Sequence, residues 1–213
     1  MIKATHIDHM GSDLSVVNAA RVSFGKRSEW NPNYRDEPPL YPRDERLIRY
    51  LAKHKHMSPF GHAFASFHVK APVFVARQLV KHKFLRWNEI SRRYVDDEPE
   101  FYMPDVWRGR SADKKQGSEG VVDVGDWGDT NWACLKAYND LLGHGVAPEQ
   151  ARMVLPQSTM TEWYWSGSLD AFASMCKLRC ASDTQYESRI VADQISEIMQ
   201  GLFPVSWRAL TNE

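Results

Sequence analysis

Apolar residues recur with helical spacing along most of the chain and alternate with polar ones in only a few short stretches. The helical period predicts amphipathic helices over residues 13–22 and 43–52. Residues 64–71 read as a strand, because Phe67 and Val69 alternate with Ser66, His68 and Lys70. Pro72 suits the first position of a following helix over residues 73–83. Further helices are predicted over 132–143, 148–155 and 169–178, and residues 159–165 are aromatic and β-prone. The longest helix spans 184–202, with Ile190, Ile195, Ile198, Met199 and Leu202 as its core stripe. Two stretches break the pattern: 25–42, with four prolines, and 108–129, rich in Gly, Asp, Lys and Ser. Both read as loops, and loops of that length inside a compact domain are usually functional or mobile. With helices in the majority and few strands, the expected class is α+β, in one domain over residues 1–213.

Composition narrows the function classes. The 27 Lys and Arg residues balance 27 Asp and Glu, which argues against a generally basic, nucleic-acid-coating protein. Three cysteines (Cys134, Cys176, Cys180), with no Cys-x-x-Cys, make neither a disulfide framework nor a thiolate zinc site. Cys176 and Cys180, one helical turn apart, read as small buried hydrophobes. Residues 1–17 lack the apolar core of a signal peptide, and the densest apolar run, 71–76, is far too short for a bilayer. A reduced, soluble, cytoplasmic protein without membrane contact is expected.

The charges are nevertheless sorted. Residues 77–93 hold six Lys or Arg, one His and a single acid, Glu89, before Asp96, Asp97, Glu98 and Glu100 reverse the sign. On a helix over 73–83, Gln78, Lys81 and His82 would share one face. If 89–94 is extended, Ser91 and Arg93 point to one side and Arg92 and Tyr94 to the other. A guanidinium fork and a hydroxyl facing a Lys/His helix face would make a phosphate-sized anion site. A solvated charged face is the plainer account of such a run. A single-stranded nucleic-acid-binding module, using residues 77–94 with Trp87 and Tyr94 as stacking platforms, is the competing class.

Residues 81–94, Lys-His-Lys-Phe-Leu-Arg-Trp-Asn-Glu-Ile-Ser-Arg-Arg-Tyr, resemble the signature R-H-R-x-x-S-x-N-E-x-S-x-R-Y of the flavin-dependent thymidylate synthases. Spacing is intact; Lys81 and Lys83 replace arginines, and Arg86 replaces the first serine. Residues 19–24, 56–62, 71–78, 151–156, Leu178-Arg179 and Gln185-Tyr186-Glu187 also look like family landmarks. The resemblance implies reductive methylation of dUMP to dTMP. Methylenetetrahydrofolate would give the carbon, reduced FAD the hydride, and NADPH would reduce the flavin. It implies a helix-rich subunit on a small, largely antiparallel sheet, assembled as a homotetramer with sites where subunits meet. No G-x-G-x-x-G is present, so a flavin would be held by scattered polar groups.

By motif position, the resemblance implies that Ser91 and Arg93 hold the dUMP phosphate with Arg152, and that Gln78, Lys81, Glu89 and Arg92 contact the nucleotide. Arg179 would meet the uracil ring, where a cation stabilises charge developing on the pyrimidine oxygens. Arg179 and Ser91 are the catalytic candidates; an ordinary helix-end arginine is the plainer account of Arg179. Ser23, His56, Ser58, Lys81, His82, Lys83 and Glu89 would contact FAD. Two flanking lysines should lower the His82 pKa and favour a neutral imidazole. Arg86 is expected to restore a fork lost at positions 81 and 83. Asp183, Ser168 and Asp170 stand where the family often has His, Asn and Arg. Trp87, Tyr94 and Trp163 are candidates to stack on flavin or folate. Flavin-free thymidylate synthases use a cysteine beside a proline; no Pro-Cys pair occurs here, so no cysteine nucleophile is expected. His54, His56, His62 and His68 lack metal-ligand spacing, and no metal site is expected.

Overall fold

The computed structural model describes residues 1–33, 39–95, 97–112, 117–125 and 127–212, and its centre is a four-stranded antiparallel sheet. The strands are β1 (Lys3–Met10), β2 (Phe64–Pro72), β3 (Leu85–Glu89) and β6 (Met160–Ser168), in the order β1-β2-β6-β3. Alternation decides which face is buried. Ala65, Phe67, Val69 and Ala71 of β2 point inward, and Thr161, Trp163, Trp165 and Gly167 of β6 do the same. The register sets Phe67 beside Trp165 and Val69 beside Trp163, so the large side chains form one layer. Trp87 of β3 completes it, stacking on Trp163 with centroids 4.3 Å apart and meeting Trp165 edge-on at 5.7 Å.

The described helices are α1 (Asp13–Arg21), α2 (Pro42–Lys53), α3 (Val73–Leu79), α4 (Gly128–Gly143), α5 (Pro148–Ala151), α6 (Leu169–Arg179), α7 (Tyr186–Leu202) and α8 (Pro204–Thr211), and several of them cover that layer. Phe172 of α6 packs edge-on against Phe67 and Trp165, and α7 buries Val191, Ala192, Ile195 and Met199. Ile190, Ile198 and Leu202, the rest of the expected stripe, pack at the margin of the same cluster. Cys176 is buried in it and Cys180 lies at its edge. The fold is α+β, as the periodicity predicts.

Several boundaries differ from the sequence expectation. The helix over 73–83 stops at Leu79, with Pro72 as its N-cap, and Lys81 and His82 lie in the turn beyond it. Phe84 adopts a left-handed φ of 66°, which no helix accommodates. Extended backbone then occupies Leu85–Glu89 and not 89–94; the amides of Tyr94 and Val95 close a turn onto the Ser91 carbonyl. The stretch 108–129 is not simply a loop. A hairpin of β4 (Trp107–Arg110) and β5 (Ser118–Val122) forms within it, and α4 starts at Gly128. Residues 113–116 and 126 of that stretch, and 34–38 of the loop 25–42, lie outside the described residues. The helix over 148–155 splits into α5 and a 3-10 turn, Arg152–Val154. Among the described residues no helix is long and apolar enough to cross a membrane.

Candidate active site

The C-terminal end of α3, the end of α6 and the start of α7 meet beside the β4–β5 hairpin and enclose a cleft of about 970 Å³. Gln78 and Lys81 line it from the α3 side, Arg179 from α6, Gln185 and Glu187 from α7, and Trp107 and Arg108 from the hairpin. Among the described residues, four cations, Arg77, Lys81, Arg108 and Arg179, face one acid. That acid, Glu187, is buried and forms an ion pair with Arg108, while Tyr102 donates to the same carboxylate oxygen at 3.4 Å. Burial first, and the Glu187 charge second, push the Tyr102 hydroxyl up to about 12, so it stays a donor at neutral pH. Arg108 also lies over the Tyr186 ring, 4.2 Å from its centroid. Its charge is balanced by Glu187, which leaves Arg77, Lys81 and Arg179 to attract an anion.

Gln78 is held by neighbours on α7. It donates from Nε2 to Gln185 Oε1 and accepts from Ser188 Oγ at 3.2 Å, and Gln185 in turn donates to Glu187 at 3.2 Å. Arg179 Nε donates to His82 Nε2 at 3.0 Å. Burial, and then the adjacent Arg179 charge, pull the His82 pKa down to about 4. The imidazole is neutral, as expected, but desolvation and Arg179 are the causes rather than the flanking lysines. Burial also lowers the Arg179 pKa, leaving a guanidinium that is less well hydrated than one in open water.

The remaining candidates lie elsewhere. Glu89 is anchored at both oxygens, accepting from Thr161 Oγ1 at 2.7 Å and from Trp87 Nε1 at 3.0 Å. Ser91, Arg92 and Arg93 sit in the turn after β3 rather than on a strand face. Arg93 reaches Ser91 Oγ through its amide at 3.3 Å and its Nε at 3.4 Å, and Arg92 bonds Asp97. Arg152 is exposed in its 3-10 turn, and neither it nor Ser91 and Arg93 lines the cleft. Ser91 and Arg93 thus stand on no strand face opposite a Lys/His helix face, because the helix ends at Leu79 and the strand at Glu89. Ser23, His56 and Lys83 are exposed and line neither cavity described here.

A second cavity of about 580 Å³ opens where β3 and β6 meet the start of α6. Ser58, Arg86, Ser166, Ser168 and Asp170 supply its polar groups, with Phe64 and Phe84 beside them. It gathers Ser58 with Arg86, Ser168 and Asp170, three of the six positions where the chain departs from the family pattern. Trp163 is buried beneath Trp87 and cannot stack on a ligand, while Tyr94 is exposed under Arg93. The basic run divides its cations between two cavities and a turn, unlike the continuous strip a polynucleotide follows. Sequence reasoning missed Tyr102, Arg108 and the hairpin wall, because no local motif marks a cation whose partner is 79 residues away.

A family model described as thymidylate synthase complementing protein matches residues 5–205. The chain belongs to this family. It is 41% identical over 211 residues to the flavin-dependent thymidylate synthase of Thermus thermophilus, covering 95% of this chain and 73% of that one. The Kosmotoga olearia flavin-dependent thymidylate synthase is 40% identical over 213 residues, covering 97% and 88% respectively. Among solved structures, the UMP/dUMP methylase PolB from Streptomyces cacaoi, bound with 5-Br dUMP, superposes with a TM-score of 0.83. It is 31% identical and covers 100% of this chain and 95% of that one. That likeness extends over the whole of the fold described above.

Proposed function

We propose that this chain is a flavin-dependent thymidylate synthase that methylates dUMP to dTMP reductively, with methylenetetrahydrofolate as carbon donor. The observation that carries the reading is that Gln78 and Lys81, and Arg179 some hundred residues away, converge on one cationic cleft in a chain with such relatives. The cleft is of nucleotide size, within the usual range of small-molecule sites. Arg179 would stabilise negative charge developing on the uracil oxygens as C5 attacks the one-carbon unit. Lys81 and Arg77 add attraction for the phosphate, and Gln78, locked by Ser188 and Gln185, presents a fixed amide.

The reaction needs two electrons besides the carbon, and a bound reduced flavin would supply them as hydride, with NADPH restoring the reduced form. The second cavity suits such a group: three serine hydroxyls and the Arg86 guanidinium for phosphates and ribityl oxygens, and aromatic edges at Phe64 and Phe84. Ser58 and Arg86 would hold it, with His82 beside the cleft through its bond to Arg179. None of the three cysteines lines either cavity, and burial pushes the Cys176 thiol well up, which supports chemistry without a thiolate nucleophile. All three are free, in keeping with the reducing cytoplasm.

The full working unit is a homotetramer of single-domain subunits, completing each site with Ser91, Arg92, Arg93 and Arg152 from a neighbouring chain. The test is dTMP formation from dUMP with methylenetetrahydrofolate, FAD and NADPH. Turnover is expected to require added or retained flavin and to survive replacement of Cys134, Cys176 and Cys180 by serine. No dTMP with all four components present, or turnover lost in a folded cysteine-free protein, would sink the reading.

A further inference from the structure

Arg179 is the last residue of α6, and a side chain there ordinarily swings in solvent or folds onto the helix's own terminal carbonyls. Here it does neither. Its Nε donates across to His82 Nε2, 97 residues away in the turn after α3. That one bond has geometric consequences. A guanidinium is planar, so fixing Nε fixes the plane, and the N–H groups on the two terminal nitrogens are left for the cleft that Arg179 lines. It also constrains the imidazole, because Nε2 can accept only from its lone pair. The ring must be neutral and must carry its proton on Nδ1. The facing charge agrees: Arg179, reaching across from α6, disfavours imidazolium.

We propose that His82 is a positioning residue for Arg179, its Nε2 lone pair holding the guanidinium so that the terminal nitrogens face the substrate cleft. His82 acts on the nucleotide through Arg179 and not by contact. The inference rests on the reading that the cleft receives dUMP, yet part of its test is independent of that reading.

The experiment compares His82→Gln, which keeps an acceptor oxygen, with His82→Leu, which does not, each in wild-type and Arg179→Ala backgrounds. Dissociation constants for dUMP are measured calorimetrically on FAD-loaded protein. His82→Leu is expected to weaken dUMP about tenfold, the usual scale for one hydrogen bond to a charged group, and His82→Gln less than about threefold. In the Arg179→Ala background His82→Leu should change nothing. An undiminished His82→Leu effect in that background, equal losses in both variants, or no loss at all overturns the proposal. Nitrogen-15 NMR of the imidazole in the nucleotide-free protein gives the second readout. Protonation at Nδ1 with bare Nε2 is expected at pH 7, and an Nε2–H tautomer overturns the proposal. Failure of the wild type to bind dUMP would instead refute the functional reading, and the tautomer would still decide the role of His82.

Discussion

His82 is the residue whose ionisation the fold alters most clearly among the site candidates. Burial, and Arg179 beside it, hold its pKa at about 4, whereas the unfolded chain protonates it near the ordinary 6.5. Below about 6.5 the unfolded state therefore binds a proton that the folded state refuses, so stability falls as pH drops from about 6.5 to about 4. Above that window the residue contributes no pH dependence, and below it the loss is complete. His82→Gln removes the titration. Melting temperature plotted from pH 8 to pH 4 is expected to decline less steeply in the variant; parallel curves would refute the shift. The sequence made His82 legible as a site residue because the motif fixes its position. Its pairing with Arg179 was not legible, since no spacing rule connects residue 82 with residue 179. The same limit applies to Glu187, whose buried carboxylate is satisfied by Arg108 and Tyr102 from other segments.

At the level of elements, the strands and helices that carry a strong local pattern appear where the periodicity puts them. β2 and β6 alternate, and α6 and α7 keep an apolar face. β1 was not read because only Ala4 within it, and Ile2 just before it, are buried, and the residues that follow are largely exposed. α8 was not read because its start lacks a local cap: Phe203 occupies the N-cap and Pro204 follows. The cap comes from the other end of the chain. Asp13, buried at the start of α1, accepts from the amides of Val205 at 2.8 Å and Ser206 at 2.9 Å. One carboxylate thus satisfies two orphan donors and ties the N-terminal helix to the C-terminal one. Asp13→Ala strands both amides and is expected to cost about 2 kcal/mol by urea denaturation. Asp13→Asn, which retains one acceptor oxygen, should cost less. A loss under about 0.5 kcal/mol for Asp13→Ala would mean that water or another group caps α8.

Across the whole molecule, a net charge of zero coexists with a cleft where, among the described residues, three cations lack an acidic counterpart, and with site candidates spread over separate surfaces. Large apolar side chains are also exposed on the hairpin and α4, with Val121 at 73%, Trp132 at 64% and Trp127 at 52%. Both features fit a subunit that buries these side chains, and completes its sites, by association. If Arg179 of one chain works with Ser91 of another, inactive variants should rescue each other. Arg179→Ala and Ser91→Ala chains, each of little activity alone, are unfolded, mixed in equal amounts and refolded together. Random assembly gives about one quarter of the sites an intact Ser91 and an intact Arg179, so about a quarter of wild-type activity should return. Native mass spectrometry of the same mixture should show tetramers of mixed composition. Mixed tetramers without recovered activity would place Ser91 and Arg179 of each site on the same chain. The turn after β3 would then have to fold over the cleft of its own subunit, away from the position where Arg93 reaches Ser91.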